Sequence, residues 1–192
     1  MSDTVKPGKL YVYSGASGVG KGTIMKELLK VDDSISLAVS ATTREPRPEE
    51  KNGVHYYFLS REEFDSIVAE GGFMEHATYC NNSYGTLKSE VEEKLAAGKN
   101  VFLEIDVQGA LNIIKDYPDC VSIFIMPPSF ETLEKRLRAR NTETETQIRN
   151  RLETALREIK LSEVYDYCVV NDDLDKAVED VLAIVKKESE KN

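Results

Sequence analysis

The sequence predicts an α/β fold, a parallel sheet core flanked by helices, and three observations predict it. Short apolar runs suited to buried strands alternate with stretches whose apolar residues recur at helical spacing. The first such run, residues 10–13, feeds a glycine-rich turn that opens directly into a helix. The length of 192 residues suits one α/β domain carrying insertions, enough to bury a real core.

The turn reads Ser14-Gly15-Ala16-Ser17-Gly18-Val19-Gly20-Lys21-Gly22-Thr23, and the helix behind it turns Ile24, Leu28 and Leu29 inward. Glycines let the backbone curl so that successive N–H groups point into one hollow, and the helix N-terminus adds positive partial charge there. Lys21 reaches back over the bound anion as a mobile charge. The spacing Gly15-x-x-x-x-Gly20-Lys21, between a strand and a helix, fits a phosphate-binding P-loop. A glycine turn that merely caps a helix is the bland alternative; lysine, spacing and context together favour a nucleoside triphosphate in a P-loop NTPase-type core. Gly22 stands where the strict motif has Ser or Thr, with Thr23 one place later. Magnesium is therefore expected to be held largely through water and substrate oxygens.

Residues 35–39 form the next expected strand. Beyond them Ser40, Ala41, Thr42, Thr43, Arg44, Pro46, Arg47 and Pro48 break regular structure. Arg44 and Arg47 repel one another in this stiff loop unless an anion lies between them, and phosphate is the natural guest; two solvated arginines are the alternative. Asn52-Gly53 marks a turn, residues 54–59 a strand, and Ser60 with Glu63 a capping box opening a helix that buries Phe64, Ile67 and Val68. Gly71-Gly72 ends that helix, residues 73–79 form a strand, and residues 81–86 read as a turn region. Residues 40–89 thus read as a small, mostly β insertion between the P-loop helix and the main sheet.

Val91, Leu95 and Ala96 mark a helix stopped by Gly98. Residues 100–106 then make an apolar strand ending in acids. A carboxylate at the C-terminal end of a parallel strand sits on the ligand-binding edge, so Asp106, and less directly Glu104, are candidates to hold a magnesium-bound water or a substrate hydroxyl. For Glu104 a local structural hydrogen bond is an equal alternative. A helix from residue 108, a strand over residues 121–126 ended by two prolines, and a helix capped by Ser129 follow. Arg136, Arg138, Arg140, Arg149 and Arg151 then flank a polar tip. A solvated basic helix pair is the ordinary reading; in a chain this acidic, a helical lid over residues 138–152 that closes on phosphates fits better. Ile148, Leu152, Ala155, Leu156 and Ile159 form a core-facing stripe, residues 165–170 the last strand, and the final helix buries Leu174, Val178, Val181, Leu182 and Val185. The core is then residues 1–39, 90–137 and 153–192.

The formal net charge of −9 argues against a general nucleic-acid binder, whose backbone affinity needs excess Lys and Arg. Cys80, Cys120 and Cys168 are scattered and form no C-x-x-C pair, which suits reduced thiols. His55 and His76 lack partners at metal-ligand spacing. Without an apolar leader or a run approaching a membrane span, a cytoplasmic protein is expected.

Taken together these residues resemble the guanylate kinase family over essentially the whole chain. The resemblance rests on the loop from Gly15 to Thr23, Ser40-Ala41-Thr42-Thr43-Arg44-x-Pro46-Arg47, Asn52-Gly53-x-x-Tyr56, Phe73-x-Glu75-x-Ala77, Tyr84-Gly85-Thr86, Glu104-Ile105-Asp106-x-Gln108-Gly109, the arginines 136, 140 and 151, and Asn171-Asp172-Asp173. Ala16, Ala41 and Glu104 depart from residues common in the family. The resemblance implies transfer of the γ-phosphoryl of ATP to GMP with Mg²⁺, and leaves dGMP open as an acceptor. It implies that Arg44, Arg47, Tyr56 and Tyr84 clamp the GMP phosphate, and that Glu75 reads guanine with Ser40 and Thr86 assisting. Arg136 is expected over adenine with Asn171 near it, and Lys21, Arg44, Arg140 and Arg151 on the phosphates being exchanged. Glu104 and Asp106 would complete the GMP site, Asp106 also holding the metal through water. No nucleic acid or membrane partner is expected, and a monomer or weak homo-oligomer is. A kinase for another monophosphate, a non-catalytic scaffold module of the same fold and a regulatory GTPase are the rival readings.

Overall fold

The structure is a computed structural model that describes residues 6–79, 81–139 and 144–191. Its main sheet has five strands in the order β2-β7-β1-β8-β9. They are β1 (Leu10–Gly15), β2 (Ile35–Leu37), β7 (Asn100–Glu104), β8 (Val121–Met126) and β9 (Tyr167–Val170). Every pairing within this sheet is parallel, with Leu10 opposite Val101 and Gly15 opposite Ile125. Parallel strands must be covered on both faces, and alternation along β1 provides for it. Tyr11 and Tyr13 pack into one apolar layer with Ile24, Leu28, Leu133, Leu137 and Val181, whereas Val12 joins Val101, Leu103, Ala110 and Ile113 in the other.

The helices that supply those layers are α1 (Lys21–Val31), α3 (Lys88–Ala96), α4 (Val107–Asp116), α5 (Phe130–Ala139), α6 (Glu145–Lys160) and α7 (Leu174–Glu190). Their starts follow local chemistry. Asp106 caps α4 by accepting from Gly109 N–H, Ser129 accepts from Thr132 N–H ahead of α5, and Thr144 with Gln147 forms a capping box on α6.

Between β2 and α3 lies a second sheet of four strands, ordered β4-β3-β6-β5. It comprises β3 (Ala41–Thr42), β4 (Tyr57–Phe58), β5 (Phe73–Tyr79) and β6 (Asn82–Leu87), with α2 (Arg61–Ala69) packed on it. Ala41, Phe64 and Phe73 form its own small core, and the expected capping box of Ser60 and Glu63 opens α2.

Four expectations need correction. Most of residues 81–86, expected as a turn region, belong to strand β6 (Asn82–Leu87), because β6 pairs antiparallel with both β3 and β5, and polar residues are accepted where ladder bonds are available on both sides. Ahead of the strand, Asn81 has a positive φ of 65°, as turn residues often do. Ala41 and Thr42 add a short strand inside the stretch expected to be irregular, while strand structure over residues 54–59 shrinks to Tyr57–Phe58. Leu29 and Leu156, expected in the core, are 38% and 45% exposed, each lying one position off its helix's buried stripe.

Candidate active site

β1 and β7 end at the same edge of the main sheet, so the loop after β1 and the acids after β7 face one another. The loop's shape depends on glycine at two points. Gly15 packs so tightly on β8 that a Cβ there would come 2.5 Å from the Ile125 carbonyl oxygen, and Gly20 has φ 96°. Asn171, buried after β9, donates from Nδ2 to the Val19 carbonyl at 2.8 Å, and Arg136 donates to the Asn171 carbonyl at 2.8 Å. The expected pair Arg136 and Asn171 thus meets at the loop's outer flank. Together with Gly18, Val19, Gly20 and Thr23 they line a cavity of about 400 Å³.

Lys21 begins α1 and folds back so that Nζ donates to the Gly15 carbonyl at 2.8 Å. Burial depresses its pKa, and Glu104, Glu158 and Asp106 oppose that shift. The carboxyl of Glu104 is pushed up by its own burial and pulled back by Lys21. A Cβ placed on Gly22 would lie 3.6 Å from Glu104 Oε1, so the missing loop hydroxyl faces a carboxylate oxygen. Hard oxygen donors beside a phosphate loop suit a magnesium ion bound partly through water. Among the described residues no group of three or more His, Cys, Asp or Glu could hold a metal by itself, so substrate oxygens would have to supply the remaining ligands.

Lys21, Ser40, Tyr56, Glu104 and Asp106 line one cavity of about 460 Å³, and Ser40, Tyr56, Glu75, Tyr84, Glu104 and Asp106 a second of about 290 Å³. These two share Ser40, Tyr56, Glu104, Ile105 and Asp106, so the two cavities form one cleft running from the loop to the small sheet. Glu75 projects from β5, and Thr86, opposite it on β6, donates its hydroxyl to Glu75 Oε1 at 2.9 Å. Burial raises the Glu75 carboxyl, the Thr86 hydroxyl lowers it, and nearby Asp106 raises it again. Gly109, capped by Asp106, approaches so closely that a Cβ would sit 3.3 Å from Glu75 Oε2.

Arg44 lies over the ring of Tyr56 at 5.5 Å, and Tyr56 meets Tyr84 edge-on with ring centroids 6.2 Å apart. These three sequence candidates converge. The Arg47 side chain is exposed, and its backbone N–H donates to Glu50 at 2.8 Å. Arg151 is half-buried on α6, whereas Arg140 falls outside the described residues.

Two participants escaped the sequence reading. Glu50 accepts from the Arg44 guanidinium through both carboxylate oxygens, at 2.8 and 2.9 Å. Those bonds, with the Arg47 N–H, hold its carboxyl down at about 2. Glu158 reaches the loop from α6 and accepts from Ser17 N–H at 2.9 Å. A signal existed for Glu50, an acid six residues after Arg44 across a proline-stiffened turn; Glu158 sits far from the loop in sequence and left none.

The chain matches the family model described as guanylate kinase over residues 7–188. It is 46% identical over 187 residues to the guanylate kinase of Clostridioides difficile (strain 630), covering 97% of this chain and 91% of that protein. With a guanylate kinase of Clostridium perfringens (strain SM101 / Type A) identity is 50% over 181 residues, or 94% of this chain and 84% of the relative. The crystal structure of guanylate kinase from Anaplasma phagocytophilum superposes with a TM-score of 0.73 at 35% identity, covering 95% of this chain and 87% of that one. A glycine-rich loop ending in Lys21, a buried carboxylate on the small sheet and this breadth of similarity agree: the chain belongs to the guanylate kinase family.

Proposed function

We propose that the chain transfers the γ-phosphoryl group of ATP to GMP, giving ADP and GDP, in the cleft between the phosphate loop and the small sheet. The observation that carries this reading is the sharing of lining residues. Ser40, Tyr56, Glu104 and Asp106 border both the Lys21 cavity and the Glu75 cavity, so a base bound at Glu75 directs its phosphate toward the loop.

Base choice rests on the Glu75–Thr86 pair. Guanine offers N1–H and N2–H donors that one carboxylate accepts together, whereas adenine presents an acceptor at N1 and leaves the buried acid unpaired. Arg44, steered by Glu50 and stacked on Tyr56, is the proposed clamp on the GMP phosphate with Tyr84 and Arg47. The adenine lies in the cavity bordered by Arg136 and Asn171, and its phosphates lie along residues 15–23.

In the transfer a GMP phosphate oxygen forms the new bond to the γ-phosphorus as the bond to the β–γ bridging oxygen breaks, and ADP leaves with that oxygen. The acceptor is already anionic, so no protein base or nucleophile is required. What the protein contributes is alignment and positive charge: Lys21 on the ATP side, Arg44 on the GMP side, and Arg140 and Arg151 from a lid over residues 138–152. Mg²⁺ supplies charge neutralisation at the phosphate oxygens, and Glu104 and Asp106 are the residues that would hold its waters. ATP and GMP, both metabolites of the cell interior, fit a cytoplasmic protein.

A coupled ADP-release assay with ATP, Mg²⁺ and each nucleoside monophosphate in turn tests the reading. GMP should be turned over well ahead of AMP, CMP and UMP; equal rates with AMP would exclude Glu75 as the base reader.

A further inference from the structure

The contact between Glu158 and the phosphate loop goes unused in the reaction just described. Glu158 is half-buried near the C-terminal end of α6, and its Oε2 accepts from Ser17 N–H at 2.9 Å, joining positions 141 residues apart in the chain. The same part of α6 is seated on the core. Ala155 is fully buried in the apolar layer that holds Leu133 and Leu137, and Ile159 packs against that layer. Toward its other end α6 starts at the Thr144 cap, inside the stretch 138–152 expected as the lid. Arg151 precedes Glu158 by about two helical turns, so the two side chains share one flank of α6, about 10 Å apart along its axis.

A carboxylate is a costly way to hold one amide. Burial pushes the Glu158 carboxyl up, Ser17 N–H and then Lys21 pull it back, Asp106 pushes it up again, and Arg157 on its own helix helps to hold the charge. No ion pair holds Glu158 to Lys21 among the described contacts, so the bond with defined direction is the one to Ser17. The Glu158 carboxylate therefore fixes the place and angle at which α6 leaves the core relative to the loop.

We infer that Glu158 is a positioning residue which, by holding Ser17 N–H, sets the α6 arginine Arg151 over the phosphate loop. This rests on the proposed role of Arg151 at the phosphates being exchanged. The requirement is for reach and an acceptor rather than for charge alone. Glu158→Gln keeps both the length and a carbonyl oxygen; Glu158→Asp keeps the charge and falls about 1.5 Å short, one methylene.

The test is steady-state kinetics of the full chain with ATP, Mg²⁺ and GMP. Glu158→Gln should stay within about threefold of wild-type kcat, while Glu158→Asp should lose about tenfold or more in kcat with the GMP KM within about twofold. In an Arg151→Ala background the Asp substitution should cost no more than about a further twofold, since its effect passes through Arg151. Glu158→Leu, which keeps apolar bulk and removes the acceptor, replaces the Asp variant if that variant does not fold. Wild-type kcat in the Asp or Leu variant, an undiminished loss in the Arg151→Ala background, or a GMP KM that rises in step with falling kcat each overturns the inference. Absence of GMP turnover in the wild-type chain would instead sink the reading beneath it.

Discussion

Replacing Glu75 by Gln is the sharpest perturbation of the proposed base reader. Thr86 already donates to Oε1 at 2.9 Å, and the close approach of Gly109 confines the other oxygen. The amide therefore has little room to turn. Whichever way it sits, one acceptor becomes an N–H donor facing either Thr86 or the guanine edge. A hydrogen bond to a charged partner contributes about 1.5–3 kcal/mol, so kcat/KM for GMP should fall about 10- to 150-fold. The ATP KM should stay within about twofold, since its cavity lies on the other flank of the loop. Stability should move the opposite way. Burial raises the Glu75 carboxyl above its unfolded value, so its favourable contribution is present only at low pH and is lost as pH rises through the folded pKa. At neutral pH the charged side chain is a net cost to folding, and Gln should melt at or above the wild-type temperature. Kinetics with GMP are read beside a thermal melt: unchanged GMP kcat/KM, or a lost activity that merely tracks a lowered melting point, would refute the reasoning.

Four further outcomes follow from the same geometry. Because guanine needs the ionised acid, the GMP KM should rise as pH falls through the raised Glu75 value, and this acid limb should vanish in Glu75→Gln; Glu50, held at about 2, cannot be its source. Glu50→Gln should loosen the Arg44 guanidinium and raise the GMP KM about three- to tenfold, with kcat little changed, as initial rates will show. Asn171→Ala removes the donor to the Val19 carbonyl and leaves that oxygen without this partner, which should weaken ATP binding about 5- to 150-fold by calorimetry. Removing magnesium with a chelator should abolish turnover while leaving GMP binding measurable, because the proposed GMP contacts are made by side chains and not by the metal.

Much of the fold was legible because buried parallel strands leave continuous apolar runs in the sequence. Residues 10–13, 101–103 and 123–126 are unbroken apolar runs, and burial on both faces is what makes them so. The small sheet was harder to read. β6 carries Asn82, Ser83, Tyr84, Gly85 and Thr86, all common in turns, and only its two antiparallel partners make it a strand. Leu29 and Leu156 show the matching limit on the helices, where one position of rotation separates core from solvent. The site divides along similar lines. Local motifs exposed the loop and the Arg44 turn, because each packs its chemistry into a few consecutive residues, whereas Glu75 stood out only through the family resemblance. Glu158 is legible only in space: nothing near residue 158 in sequence announces a bond to Ser17.

The central claim is that two mutually repelling nucleotides are brought end to end across Lys21 and Arg44. The affinity of a compound in which adenosine and guanosine are joined through a chain of five phosphates tests it most directly. Filling both sites with one molecule should make its Kd, measured by titration calorimetry, about a hundredfold or more lower than that of ATP or GMP alone. A linked compound that binds no more tightly than GMP would contradict the claim, since the two sites would then not face each other.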